Sequence, residues 1–245
     1  ELGLIDLIKQ CDFPSTKTIS DVQYILSFLA LKLMGGERWS HDTLWNFDRA
    51  LGFFAGLNVL PKSTALSTYS YRVSRQSNLR LLTALSQCFE SESDGEFNLD
   101  FKAIPHWGDA SVLEKNWCGS RGKAVKSILS VIVQNPTSGM ISYTDADIKH
   151  QNQNNAALEF VDFWKAGHGA APKMLIFDSK FTTYENLSQL NQDGIQFLTL
   201  RRRGKHLIQK INTIPEDEWQ KIQVTRSKGK KQTIRVHDNL ISLRH

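Results

Sequence analysis

The chain has 245 residues, 40% of them hydrophobic and 22% charged, with a formal net charge of +5. That length suits one large domain or two small ones, and the composition excludes a disordered chain, a collagen-like fibre and a disulfide scaffold. No apolar run reaches the ~18 residues of a membrane span; the longest, Ile25 to Met34, contains Lys32, so no membrane partner is expected.

The N-terminus (Glu1, Leu2, Gly3) has neither an initiator Met nor a signal-peptide pattern and reads as a fragment start. Cys11, Cys88 and Cys118 are odd in number and far apart. They fit free thiols in a reducing compartment, and no C-x-x-C pair offers zinc a site. Charge is uneven. Residues 201–245 carry 12 Lys/Arg against 4 Asp/Glu, whereas the preceding 200 carry 18 against 21. A basic end fits a polyanion partner or a solvated face.

The first ~90 residues read as helical. Val22, Ile25, Leu26, Leu29 and Leu33 form one apolar stripe, with Ser20-Asp21 as cap and Gly35-Gly36 as stop. Further helices are expected over 42–54, 63–74 and 77–89, with a break at 56–61 and an acidic boundary at 90–96. Strands follow at 97–104, 125–134 and 140–146, the last two joined by the turn Asn135-Pro-Thr-Ser-Gly139. A helix over 154–166, a buried strand at 173–177, a helix over 182–191 and a buried strand at 195–200 complete an α/β pattern. The first three strands are expected to form an antiparallel meander, to which the helix-linked strands add in parallel. Beyond Arg201 the chain reads as basic and β-rich, with short strands at 222–225, 233–236 and 240–243 and a basic tip at 227–231. It stops at His245 without a capping element, which reads as a cut or an encoded truncation.

Two carboxylates stand out. Asp100 lies mid-strand in Asn98-Leu-Asp-Phe-Lys102, and Asp178 directly follows the apolar run Met174-Leu-Ile-Phe177. Each alone also fits a strand-end turn or a helix cap. Together, on neighbouring strands about 4.8 Å apart, they would make a hard-oxygen site for Mg²⁺ or Mn²⁺ suited to phosphodiester chemistry.

At these residues the chain resembles a DDE-class insertion-sequence transposase. The resemblance covers essentially the whole chain. It is carried by Leu51-Gly-Phe-Phe-Ala-Gly-Leu-Asn-Val-Leu-Pro-Lys62, Leu66-Ser-Thr-Tyr-Ser-Tyr-Arg72, Asn98-Leu-Asp-Phe101 and Ile104-Pro-His-Trp-Gly-Asp109. Glu159-Phe-Val-Asp-Phe-Trp164, Phe177-Asp-Ser-Lys-Phe-Thr-Thr-Tyr-Glu-Asn186 and Phe197-Leu-Thr-Leu-Arg-Arg-Arg-Gly204 extend it. It implies a ribonuclease H-like α/β core at 96–204, a helical N-terminal domain at 1–92 with possible DNA binding, and a basic β-rich insertion at 205–245. It also implies DNA cleavage and strand transfer, double-stranded element ends as partner, self-association on DNA, and a cytoplasmic, nucleoid-associated place in a bacterium. Asp100 and Asp178 would be the first and second catalytic carboxylates, holding Mg²⁺ or Mn²⁺.

The family's third carboxylate, a Glu on a later helix, has no counterpart. Glu216 and Glu218 lie before the β segment and read as exposed helix-start residues. The alternative is therefore a truncated, catalytically inactive remnant that holds DNA without cutting it. For DNA contacts, Lys62, Arg72 and Arg75 would face phosphate around a recognition helix, with Thr64, Ser67, Thr68 and Tyr71 toward base edges; the alternative is an ordinary helical bundle. Arg121 and Lys123 form a Gly-flanked basic turn, Lys180 follows Asp178, and Arg201, Arg202, Arg203 and Lys205 follow the last buried strand. His106 reads as a turn residue or as one that assists metal or phosphate, Tyr184 as packing, and Trp219 as a stacking residue or an anchor of the insertion to the core.

Overall fold

The computed structural model describes residues 3–89, 94–107, 112–181, 183–201, 204–226 and 229–240, excepting the side chains of 39, 40 and 147. Helices α1 (Leu4–Lys9), α2 (Asp21–Leu33), α3 (Arg49–Phe54), α4 (Ser63–Ser70) and α5 (Arg75–Phe89) come first. The start of α2 is a capping box: Ser20 Oγ accepts from Gln23 N at 3.3 Å, and Gln23 Oε1 accepts from Ser20 N at 2.9 Å. The single helix expected over 42–54 is instead a 3₁₀ turn at Trp39–Leu44 followed by α3. Asp48 divides them, because its side chain accepts from Leu51 N at 3.0 Å and so caps a new helix. Ile8, Ala30, Leu31, Ala55, Leu60, Leu66 and Tyr69 pack into one buried cluster.

The strands follow: β1 (Glu96–Pro105), β2 (Lys115–Cys118), β3 (Lys123–Gln134) and β4 (Ile141–Ile148). Then α6 (Ala156–His168), β5 (Met174–Phe177), α7 (Tyr184–Gln192) and β6 (Gln196–Thr199) alternate. They build a six-stranded sheet in the order β2-β3-β1-β5-β6, with β4 also paired to β3. β3 lies antiparallel to both β1 and β4, as the meander requires; β5 adds in parallel to β1, and β6 in parallel to β5. The chain is thus a mixed α/β fold.

One face of this sheet supplies the second core. Phe97 and Leu99 of β1, Leu129, Val131 and Val133 of β3, and Leu175 and Phe177 of β5 meet Phe160, Val161 and Trp164 of α6 and Leu187 and Leu190 of α7. Burying such side chains contributes about 1.5–3 kcal/mol each, which makes this face a major source of stability.

The structure departs from expectation at three further places. β2 is a strand that the sequence did not announce. β6 is not buried, because it is the sheet's outer strand on the β5 side: Gln196 and Leu198 are exposed and only Ile195 before it is fully covered. After Arg201 the chain forms helix α8 (Lys205–Asn212) before the antiparallel hairpin β7 (Gln220–Thr225) and β8 (Lys231–Val236). Residues 237–240 carry no strand, and 241–243 and the tip residues 227 and 228 lie outside the described residues.

Candidate functional site

Strands β1 and β5 lie side by side and parallel, in register from Glu96↔Met174 to Leu99↔Phe177. Asp100 and Asp178 are therefore the next residues on the two strands, at the same level of the sheet. The sequence explains both positions. Alternation along β1 sends Phe97 and Leu99 into the core and leaves Asp100 exposed. The apolar run of β5 ends at Phe177, and the chain turns away through a 3₁₀ turn at Ser179–Phe181.

Each carboxylate is oriented by the backbone. Asp100 Oδ1 accepts from Phe101 N at 2.8 Å, and Asp178 Oδ1 accepts from Lys180 N at 2.5 Å. Asp178 thus makes the strand-end turn that its position also suggested. Among the described residues the second oxygen of each has no hydrogen bond. Exposed, anionic oxygens at neighbouring strand positions suit a hard divalent ion such as Mg²⁺ or Mn²⁺. No group of three His, Cys, Asp or Glu able to hold a metal comes together among the described residues.

Two features around this pair were not legible in the sequence. Phe101 stacks on the buried ring of Phe181, centroids 3.8 Å apart and planes 4° from parallel. The stack joins the residue after Asp100 to the end of the turn that Asp178 opens. Beside it lies a cavity of about 590 Å³ lined by Phe101, Lys115, Trp117, His150 and Lys180 among others. His150 is held there by Asn116 Oδ1, 2.9 Å from its Nε2. Phe101 follows Asp100 by one residue and Phe181 follows Asp178 by three, so no shared spacing announced the stack, and nothing local announced the cavity.

The expected DNA-contacting residues are dispersed. Lys180 is exposed two residues past Asp178. β6 continues the parallel register through Phe177↔Thr199, so exposed Arg201 leaves the sheet at the same end as Asp178. Lys205 is exposed at the first position of α8; Arg202 and Arg203 lie outside the described residues, as does Asp109. Arg121 and Lys123 sit at the far end of β3, where the Arg121 guanidinium lies 5.1 Å from the Trp107 ring centroid.

Lys62 is exposed at the start of α4, with Thr64, Thr68 and Tyr71 also exposed and Ser67 half-buried. Arg72 is exposed but donates from Nη2 to Ser15 O at 3.0 Å. Arg75 departs from the phosphate-facing expectation. Its Nε and Nη2 lie 2.7 and 2.5 Å from Oδ2 of buried Asp145, and Nη2 lies 3.5 Å from Glu159. A low-dielectric carboxylate holds an arginine more firmly than solvent does, so Arg75 ties α5 to β4 and α6. Tyr143 beside it is pushed up to about 12, by burial first and then by the Asp145 charge.

His106 is a strand-end residue whose N–H donates to Lys126 O at 3.0 Å, and Tyr184 is half exposed at the start of α7. Trp219 packs within its own hairpin, 5.5 Å from the Arg235 guanidinium and 5.9 Å from the His237 ring. Both of these partners belong to the β7–β8 hairpin segment.

No family model and no curated protein matches the chain. Among solved structures it is similar to a piggyBac transposase in a synaptic complex with hairpin DNA, at 11% identity and a TM-score of 0.44. That likeness covers 95% of this chain and 59% of the other. A likeness this distant decides neither fold family nor activity. No helix among the described residues is long and apolar enough to cross a membrane.

Proposed function

We propose that the chain is a DDE-class transposase that binds double-stranded element ends and carries out metal-dependent DNA cleavage and strand transfer. The observation that carries this reading is the parallel pairing of β1 with β5, which sets Asp100 beside Asp178. The order β4-β3-β1-β5-β6, antiparallel over the first three strands and parallel over the last three, supports a ribonuclease H-like core over 96–204. β2 is then an addition to that core. The helical segment 1–92 is a DNA-contacting domain and 205–245 a basic insertion.

Asp100 and Asp178 would hold Mg²⁺ or Mn²⁺, with a backbone N–H already orienting one oxygen of each carboxylate. Bound divalent ions supply Lewis-acid stabilisation of a phosphodiester and a more acidic water or 3′-hydroxyl. Lys180 and Arg201, at the same sheet end, neutralise and orient phosphate. Self-association on DNA would bring two ends together.

The test is nicking of element-end duplex in Mg²⁺ or Mn²⁺, alongside Mn²⁺ binding followed by electron paramagnetic resonance. Asp100→Asn and Asp178→Asn each abolish nicking and weaken Mn²⁺ binding while leaving the melting temperature within a few degrees. Unchanged cleavage in both variants rejects the assignment. A second reading, a DNA-holding protein that does not cut, is favoured by the lack of a three-carboxylate cluster among the described residues. Salt-sensitive binding without cleavage in any metal establishes it.

A further inference from the structure

Helices α6 and α7 cover one sheet face; the opposite face can be followed from strand to strand through the register. The core takes the odd-numbered residues of β1 and β3. The even-numbered ones pair across the other face: Asp100↔Ile132, Lys102↔Ser130 and Ile104↔Ile128. Directly paired antiparallel residues point to the same side. Beyond the end of β1 the same face of β3 continues to Lys126 and Ala124, paired with Lys115 and Trp117 of the edge strand β2, both of which also border the cavity beside Phe101. From Ile132 to Ala124 is eight residues of strand, about 27 Å.

This surface has a consistent chemistry. Lys102, Lys115 and Lys126 are exposed, and Trp117, two residues past Lys115 on β2, is 61% exposed. Ile104, 47% exposed, lies midway. None of these register positions beyond Asp100 is acidic. Glu114, one residue before Lys115, is instead engaged by His150, whose N–H donates to it at 2.8 Å. Arg121 and Lys123 extend the positive charge past Trp117.

We infer that this face is a track for a single DNA strand, running from Asp100 along Lys102, Lys126 and Lys115 to a base stacked on Trp117. Repeated lysines beside an accessible indole disfavour a protein partner, whose interface core is depleted of lysine. They are the combination that holds a single strand: cations along the backbone and an aromatic face for a base. A base inside a duplex has no free face to offer the indole, so the occupant at Trp117 is unpaired. The inference rests on the DNA reading proposed above but not on its metal chemistry.

The test is fluorescence anisotropy with the whole chain in EDTA. The probes are a labelled single strand of about 20 nucleotides and its duplex, between about 50 and 200 mM salt. Trp117→Ala should weaken single-strand binding about tenfold or more, and Trp117→Phe less than about threefold. Lys115→Ala with Lys126→Ala should lower the slope of log affinity on log salt by about 1.4, at about 0.7 for each phosphate contact. Circular dichroism checks that each variant is folded; should Trp117→Ala unfold, the double lysine variant decides. Unchanged single-strand affinity in folded variants overturns the track, as does an equal loss on duplex, or no single-strand binding by the parent chain. Failure of the active-site assignment is distinguishable: cleavage would then survive Asp100→Asn while the track variants still lose binding.

Discussion

Phe101 and Phe181 stack face to face, 3.8 Å between centroids, and so tie the strand carrying Asp100 to the turn that Asp178 opens. Offset or stacked aromatic pairs contribute about 0.5–1.5 kcal/mol beyond burial, and Phe181 is fully buried. Phe181→Ala should cost about 3–5 kcal/mol in urea unfolding. Phe181→Leu should retain most of the stability yet weaken Mn²⁺ binding, since the lost stack frees the turn. Equal Mn²⁺ affinity in Phe181→Leu would show that the backbone alone positions the pair.

Asp42 is 0% exposed, and neither carboxylate oxygen has a hydrogen-bond partner among the described residues. Burial pushes its carboxyl up to about 6 from 3.8. The folded protein therefore binds this proton more tightly than the unfolded chain, and stability falls as pH rises from about 4 to about 6. Above that window the burial of the charge costs roughly 2–3 kcal/mol. Asp42→Asn should flatten the pH profile in that window and stand above the parent at pH 7. Thermal melts between about pH 4 and 8 decide, and parallel profiles for parent and variant would remove Asp42 as the cause.

Arg75 and Asp145 distinguish a structural arginine from a DNA-binding one. Arg75→Ala removes the charge-assisted hydrogen bonds to buried Asp145 and should cost about 1.5–3 kcal/mol. The salt dependence of DNA binding should be unchanged, because no phosphate contact is lost. A shallower salt slope with unchanged stability would mean that Arg75 leaves Asp145 for DNA.

The elements best read in advance were those with local causes. Ser20 with Asp21 announces the start of α2, and the alternation from Phe97 to Asp100 sets which side chains enter the core. The split of 42–54 escaped because Asp48 reads as an ordinary helical residue until its side chain is seen to cap α3. β2 escaped because Lys115–Cys118 is too short for periodicity, and it pairs only because β3 extends past the end of β4. Helix α8 is short and lacks a side-chain cap, with Gly204 before it.

At the site itself, the sequence determined that Asp178 ends an apolar run and that Asp100 lies mid-strand, since both depend on a few neighbouring residues. Only the tertiary structure decided that β1 and β5 are neighbours at matching register, that Phe101 meets Phe181, and that Arg75 turns inward to Asp145. Those outcomes depend on which strands pair and which faces are buried. Such choices are settled by contacts between segments far apart in the chain, whose burial outweighs any local preference.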